Sequence, residues 1–249
     1  MELGISAMSL KAVLFDFNGV IIKDRQIHIQ LIDEILLGEN LQLQRVQERQ
    51  AFLGFGHRAY LQNLLKNRGR VVTEVYMTQL LTRKAQGYIL ELEKLEKLPL
   101  YPGIEDVIFQ IHDHDLKLGL VSDTLSLEIE TVLTSAKLAE YFSVIVSGND
   151  TSSHKPNPEG YLLAVARINQ VYPELNLQPH ECLVIEHTPV GIQAAKKAQM
   201  QVVGVANTYP FHMLQRQANW TIDYLIDLDL QQVQEVFLKK DGQFIVSEC

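Results

Sequence analysis

The chain has 249 residues, 47% of them hydrophobic, enough apolar surface for one large domain or two modest ones around an ordinary packed core. Its 22 Lys and Arg against 30 Asp and Glu leave a net charge of -8, which opposes nucleic acid and anionic membrane surfaces, so any phosphate site must be locally positive. Cys182 and Cys249 make neither a disulfide framework nor a metal-ligand spacing, Met1 to Leu10 lacks the pattern of a secretion signal, and no run approaches the roughly 18 apolar residues of a membrane span, so the expected protein is soluble, unprocessed and cytoplasmic.

Lys11 to Phe15 (KAVLF) is a short apolar run stopped by the polar turn Asp16-Phe17-Asn18-Gly19, the pattern of a buried strand ending in a loop. From Asp24 to about Leu98 the spacing turns helical. Ile27, Leu31 and Ile35 recur every four residues, Gly38 is the expected stop, and Leu53-Gly54-Phe55-Gly56 forms a turn before a second helical run. Glu91 to Leu98 (ELEKLEKL) is too short for a coiled coil and reads as the last turns of a helix returning to the core. Pro99 and Pro102-Gly103 break that helix. Beyond them apolar runs at Leu118–Val121, Val144–Ser147, Leu183–Glu186, Val202–Val205 and Tyr224–Ile226 alternate with helical stretches.

Strands alternating with helices predict an α/β fold with a parallel sheet covered on both faces, and the helical stretch between the first two strands a separate lobe above it. In such sheets ligands bind beyond the carboxyl ends of the strands. The polar residues there are Asp16, then Ser122 and Asp123, then Lys155 in the loop TSSHKPNPEG, then Glu186 and His187. Thr188-Pro189 is a helix start, threonine capping and proline at the first helical position, which sets a positive helix end beside Glu186 and His187.

Taken together, Asp-x-Asn-Gly-Val at Asp16, a strand ending in Ser122, Lys155-Pro156 and Glu186-His187-Thr188-x-x-Gly191-Ile192 resemble the four ordered motifs of the haloacid dehalogenase superfamily. The resemblance covers nearly the whole chain and is closest in layout to the β-phosphoglucomutase-like subgroup. It implies a Rossmann-like core of residues 1–22 and 99–249 with an inserted all-α cap domain of residues 23–98. It also implies that Asp16 is a nucleophile forming an aspartyl-phosphate, and that Ser122 and Lys155 hold the transferring phosphoryl oxygens. A metal ion would lie among Asp16, the Asn18 backbone carbonyl, Glu186 and His187. In the insert, His28, the pattern Gly54-x-x-x-Arg58 and the pair Arg83-Lys84 match positions where this subgroup contacts its substrate or the residue two after the nucleophile. Asp123 joins the substrate-binding set. The ligand so implied is a small phosphorylated metabolite such as a sugar phosphate.

Two residues depart from the family pattern. Asn18 stands where a second aspartate acts as general acid and base, and losing such a group costs about a hundred- to ten-thousand-fold in rate. His187 stands where an aspartate is usual, and imidazole suits manganese or cobalt better than magnesium, so Mg2+ binding is expected to weaken with Mn2+ or Co2+ as alternatives. Three readings remain open: a phosphatase or phosphomutase, a catalytically silent phosphometabolite-binding protein, and a metal-free dehalogenase-like hydrolase.

Overall fold

The computed structural model describes residues 9–51 and 56–239. The turn expected at Leu53-Gly54-Phe55, and Cys249, lie outside the described residues. Six strands form one fully parallel sheet: β1 (Ala12–Phe15), β2 (Lys117–Val121), β3 (Phe142–Val146), β4 (Cys182–Glu186), β5 (Gln201–Val205) and β6 (Trp220–Ile222). Their order across the sheet is β3-β2-β1-β4-β5-β6. The chain therefore leaves β1 toward one edge and later returns to build the other half on the opposite side of β1. Where connections diverge like this, the loops after neighbouring strands part and leave a crevice at the carboxyl ends. Asp16 sits at that point.

Alternation along the strands assigns each face its own core. Val13, Phe15, Leu118, Leu120, Leu183 and Ile185 face α5 (Ile104–Asp113), α6 (Ser126–Ser135) and α10 (Leu230–Lys239). Ala12, Leu14, Val144, Val146 and Val184 face α7 (Glu159–Val171) and α8 (Pro189–Lys197). Burial on both faces explains why these strands read as unbroken apolar runs.

Between β1 and β2 the chain also inserts α1 (Arg25–Gly38), α2 (Val46–Ala51), α3 (His57–Asn67) and α4 (Glu74–Glu93). They enclose a cluster of their own, with Ile32, Ile35, Leu61, Leu65, Met77 and Leu80 at its centre. Leu31 on α1 and Tyr88 on α4 turn instead into the sheet-side core, so the insert is anchored by its two longest helices. Its entry and exit run side by side: Lys23 N donates to Pro99 O at 2.8 Å and Tyr101 N to Ile21 O at 3.0 Å.

Two local expectations need correction. The final strand is Trp220–Ile222, not Tyr224–Ile226: Asn219 Oδ1 accepts from Val202 N and registers the chain against β5, whereas Asp227 Oδ2 caps Tyr224 N and closes Leu225–Asp227 into a 3-10 turn. The helix through Glu91 ends at Glu93: Leu95 beyond it is exposed, Leu98 packs against the sheet-side core from outside the helix, and Pro99 disfavours helix in the residue before it. Gly38 is the last residue of α1, as expected, and Asn40, with φ 56°, is the left-handed residue that follows it.

Candidate active site

A cleft of about 280 Å³ opens above the carboxyl ends of β1, β2 and β4 and is roofed by the start of α1 and α3. Asp16, Asn18, His28, Ser122, Asp123, Lys155, Glu186 and His187 all line it. These eight expected residues come from five separate stretches of chain and are brought together.

Asp16 is held at the end of β1 by its amide donating to Ile185 O at 3.0 Å. Its carboxylate is engaged on both oxygens: Lys155 Nζ donates to Oδ1 at 2.7 Å, and His187 Nε2 lies 3.2 Å from Oδ2. Burial pushes the Asp16 carboxyl up, but the Lys155 ammonium and the hydrogen bond and charge of His187 outweigh it and bring the carboxyl down to about 2. A permanently ionised carboxylate is what nucleophilic attack requires.

Lys155 is the electrostatic centre. Its ammonium donates to Asp16 Oδ1 and Glu186 Oε1, each at 2.7 Å, and to Val121 O at 3.2 Å. Burial acts to lower its pKa, yet the two carboxylates hold it well above the ordinary lysine range. Glu186 is fully buried, with Tyr161 OH adding a donor to Oε1 while the backbone amides of His187 and Thr188 and the Thr188 hydroxyl supply Oε2. Those amides open α8, whose cap is Thr188 Oγ1 accepting from Gly191 N at 3.0 Å. Gly191 is glycine because a Cβ there would collide with the Glu186 carboxylate.

His187 is braced through Nδ1 against Thr208 Oγ1 at 2.9 Å and lies flat on Gly19, where φ is 80° and any side chain would meet the ring. Asn207 Nδ2 donates to Gly19 O at 2.9 Å and ties this loop to the end of β5. Ligand-capable atoms of Asp16, Glu186 and His187 lie within 4.8 Å of one another, close enough to share one metal ion. Two carboxylate oxygens and one imidazole nitrogen form a mixed donor set that suits a borderline divalent cation better than a hard one.

Asn18 turns its amide toward the insert. Nδ2 donates to Asp24 Oδ2 at 2.7 Å and lies 3.1 Å from His28 Nε2, while Oδ1 accepts from the Thr124 hydroxyl. The expected contact of His28 with residue 18 is present. The expected contact of Lys84 is not: it is 3% exposed, and its ammonium is drawn instead to Glu128 on α6, at 3.0 and 3.3 Å from the two oxygens, and to His57 Nδ1 at 3.2 Å. Arg58 is also displaced from the expected role, since it pairs with Glu74 at the start of α4 and does not line the cleft. In both cases a carboxylate on another helix, invisible in local sequence, takes the cation.

Sequence reasoning also missed Asp24, Thr124, Glu128 and Tyr161 as members of the polar network. Asp24 and His28 stand four apart, which on a helix start places them side by side, but Tyr88 OH reaches Asp24 Oδ2, at 2.6 Å, from 64 residues away.

This parallel sheet with a helical insert after its first strand, carrying carboxylates and a lysine at the strand ends, defines a class. The model of the family described as haloacid dehalogenase-like hydrolase matches residues 13–205, and the chain belongs to that family. Among its relatives, β-phosphoglucomutase of Bacillus subtilis is 29% identical over 204 residues, covering 81% of this chain and 85% of that protein. Protein CbbY of Rhodobacter capsulatus is 24% identical over 234 residues, covering 92% of this chain and 100% of that protein. A crystal structure of β-phosphoglucomutase from Clostridium difficile superposes with a TM-score of 0.78 at 23% identity, covering 92% of this chain and 97% of that one. CbbY of Rhodobacter sphaeroides, solved in complex with xylulose-(1,5)bisphosphate, gives 0.75 at 20% identity, covering 88% and 96%. At these identities the structures establish the fold. Among the described residues no helix is long and apolar enough to cross a membrane.

Proposed function

We propose that this haloacid dehalogenase-like hydrolase acts as a phosphatase or phosphomutase on a small phosphorylated metabolite, with Asp16 attacking phosphorus. One observation carries the reading: a single buried ammonium, Lys155, is held between the carboxylates of Asp16 and Glu186 at the floor of the cleft. Two carboxylates there would repel a phosphate dianion, and Lys155 cancels that repulsion while keeping Asp16 ionised. Asp16 gives an aspartyl-phosphate when its oxygen bonds to phosphorus and the ester oxygen departs. Ser122, at the end of β2, and the loop amides after Asp16 take the phosphoryl oxygens, and Asp123 faces the departing part of the substrate.

Asp16, Glu186, His187 and the Asn18 carbonyl are the groups that would hold a divalent cation, which when bound supplies positive charge for the phosphoryl oxygens. Magnesium is the ion expected from the family, and the imidazole of His187 favours manganese or cobalt beside it. Residues 23–98 act as the cap, moving about the paired segments at Ile21–Lys23 and Pro99–Tyr101 to exclude water and select the substrate. The free, buried thiol of Cys182 supports a reducing, cytoplasmic setting.

The amide at position 18 favours a second reading, a silent relative that binds its ligand and does not turn it over. A panel of phosphate esters assayed with magnesium, manganese and cobalt, in wild type and Asp16→Asn, separates the two. Turnover that vanishes in Asp16→Asn with an unchanged melt supports phosphoryl transfer. Ligand-induced stabilisation without turnover supports the silent reading.

A further inference from the structure

The buried carboxylate of Asp24 has no part in the chemistry above. It is 2% exposed and lies at the point where the chain passes from the nucleophile loop into α1. Its Oδ2 gathers three groups from three places: Asn18 Nδ2 at 2.7 Å from the nucleophile loop, His28 Nε2 at 3.0 Å from α1, and Tyr88 OH at 2.6 Å from α4. His28 is stacked on Tyr88, ring centroids 4.8 Å apart and planes within 2°.

This arrangement constrains position 18. An aspartate there would keep the acceptor for the Thr124 hydroxyl but would set a second carboxylate oxygen in place of the Asn18 Nδ2 donor, against Asp24 Oδ2. Two carboxylate oxygens at that separation present two acceptors and no donor between them. An amide at 18 offers an oxygen to Thr124 and an N–H to Asp24, and so satisfies both neighbours. With an amide at 24 the polarity reverses: its nitrogen, in the place of Oδ2, can donate one N–H to a carboxylate at 18 and the other to the Tyr88 hydroxyl oxygen, which then accepts.

We propose that Asp24 is the positioning residue for position 18, so that the two form a matched pair joining the nucleophile loop to the cap, and a carboxylate at 18 functions only when 24 does not carry a second carboxylate. Asn18 is then not an isolated loss of an acid–base group. It is one half of an exchange whose other half lies six residues on, at the first turn of the cap.

The test is a four-protein cycle of wild type, Asn18→Asp, Asp24→Asn and the double variant, each measured by thermal melt and by steady-state kinetics on p-nitrophenyl phosphate and glycerol phosphate. Each single variant is expected to lower the melting temperature, and the double variant to recover most of the loss. In kinetics, Asp24→Asn should lower kcat by up to about a hundred-fold with little change in KM, the scale expected when losing the tie to Asn18 displaces the loop that carries Asp16. Asn18→Asp alone should gain nothing, whereas the double variant should match or exceed wild type on glycerol phosphate, whose poor leaving group needs a proton. Additive melting shifts, or Asn18→Asp outperforming the double variant, would overturn the pairing. The kinetic half rests on phosphoryl transfer at Asp16, but the melting half does not. Coupled melts with no turnover in any of the four proteins would keep the pairing and remove the proposed function, while additive melts with turnover would do the reverse.

Discussion

Lys84 and Glu128 join the insert to the core through an ion pair in which both side chains are 1% exposed. Substituting Lys84→Met keeps the length and apolar stem of the side chain but leaves the Glu128 carboxylate buried without its counter-ion. Breaking a buried pair from one side costs about 3 to 5 kcal/mol, whereas replacing both members with apolar groups is often close to neutral. At this chain length each kcal/mol moves the melting temperature by roughly 2–4 °C, so Lys84→Met should lower it by roughly 6–20 °C. The double variant Lys84→Met/Glu128→Leu should return most of that loss, a coupling far outside the additive range. Circular dichroism melts of the three variants and wild type measure this, and KM for a phosphate ester should stay near the wild-type value in the double variant because Lys84 does not line the cleft. A loss below about 1 kcal/mol in Lys84→Met would refute the reasoning, since it is what a solvent-exposed pair is worth and would mean that α4 and α6 separate in solution.

Arg58→Ala should change stability by less than about 1 kcal/mol and leave KM unaltered, because Arg58 pairs with the exposed Glu74; a large rise in KM on a bisphosphate alone would show that closure brings it over the substrate. His187→Asp should tighten magnesium relative to manganese in calorimetric titration, since it exchanges an imidazole for a hard oxygen ligand, and an unchanged preference would remove His187 from the metal set. The hydrogen bond to Asp123 raises the pKa of His154 above its ordinary 6.5 against the opposing effect of burial. A raised folded-state value means that this contribution to stability is complete below pH 6.5 and is lost as pH rises through the raised value, so Asp123→Asn should flatten that part of the melting-temperature profile; an unaltered profile would exclude the pair.

Much of the fold is written locally. Strands buried on both faces must be continuous apolar runs, and four of the five runs after the insert are strands within a residue or two of their expected bounds. The cleft residues were legible for a related reason: in a parallel sheet every strand ends on the same side, so polar residues that follow the runs must converge whatever lies between them. The exception is instructive. Tyr224–Ile226 is the more apolar of the two runs, with Leu225 where Trp220–Ile222 has Thr221, yet the Asn219 bond to β5 and the Asp227 cap make Trp220–Ile222 the one that pairs.

What remained hidden was the choice of partner for each charge. Sequence alone marked Arg58, Lys84 and Lys155 as cations able to meet a phosphate, and it determined that Asn18 could not serve as an acid. Only the tertiary structure decided that Lys84 is bound by Glu128, 44 residues away, that Arg58 turns to Glu74, and that Lys155 alone reaches Asp16. It also decided that the amide at 18 answers a carboxylate at 24 held by a tyrosine from α4. The physical reason is one of range: burial patterns repeat over a few residues and show in sequence, whereas a hydrogen bond or ion pair depends on angstroms between side chains that the chain brings together only when every helix has packed.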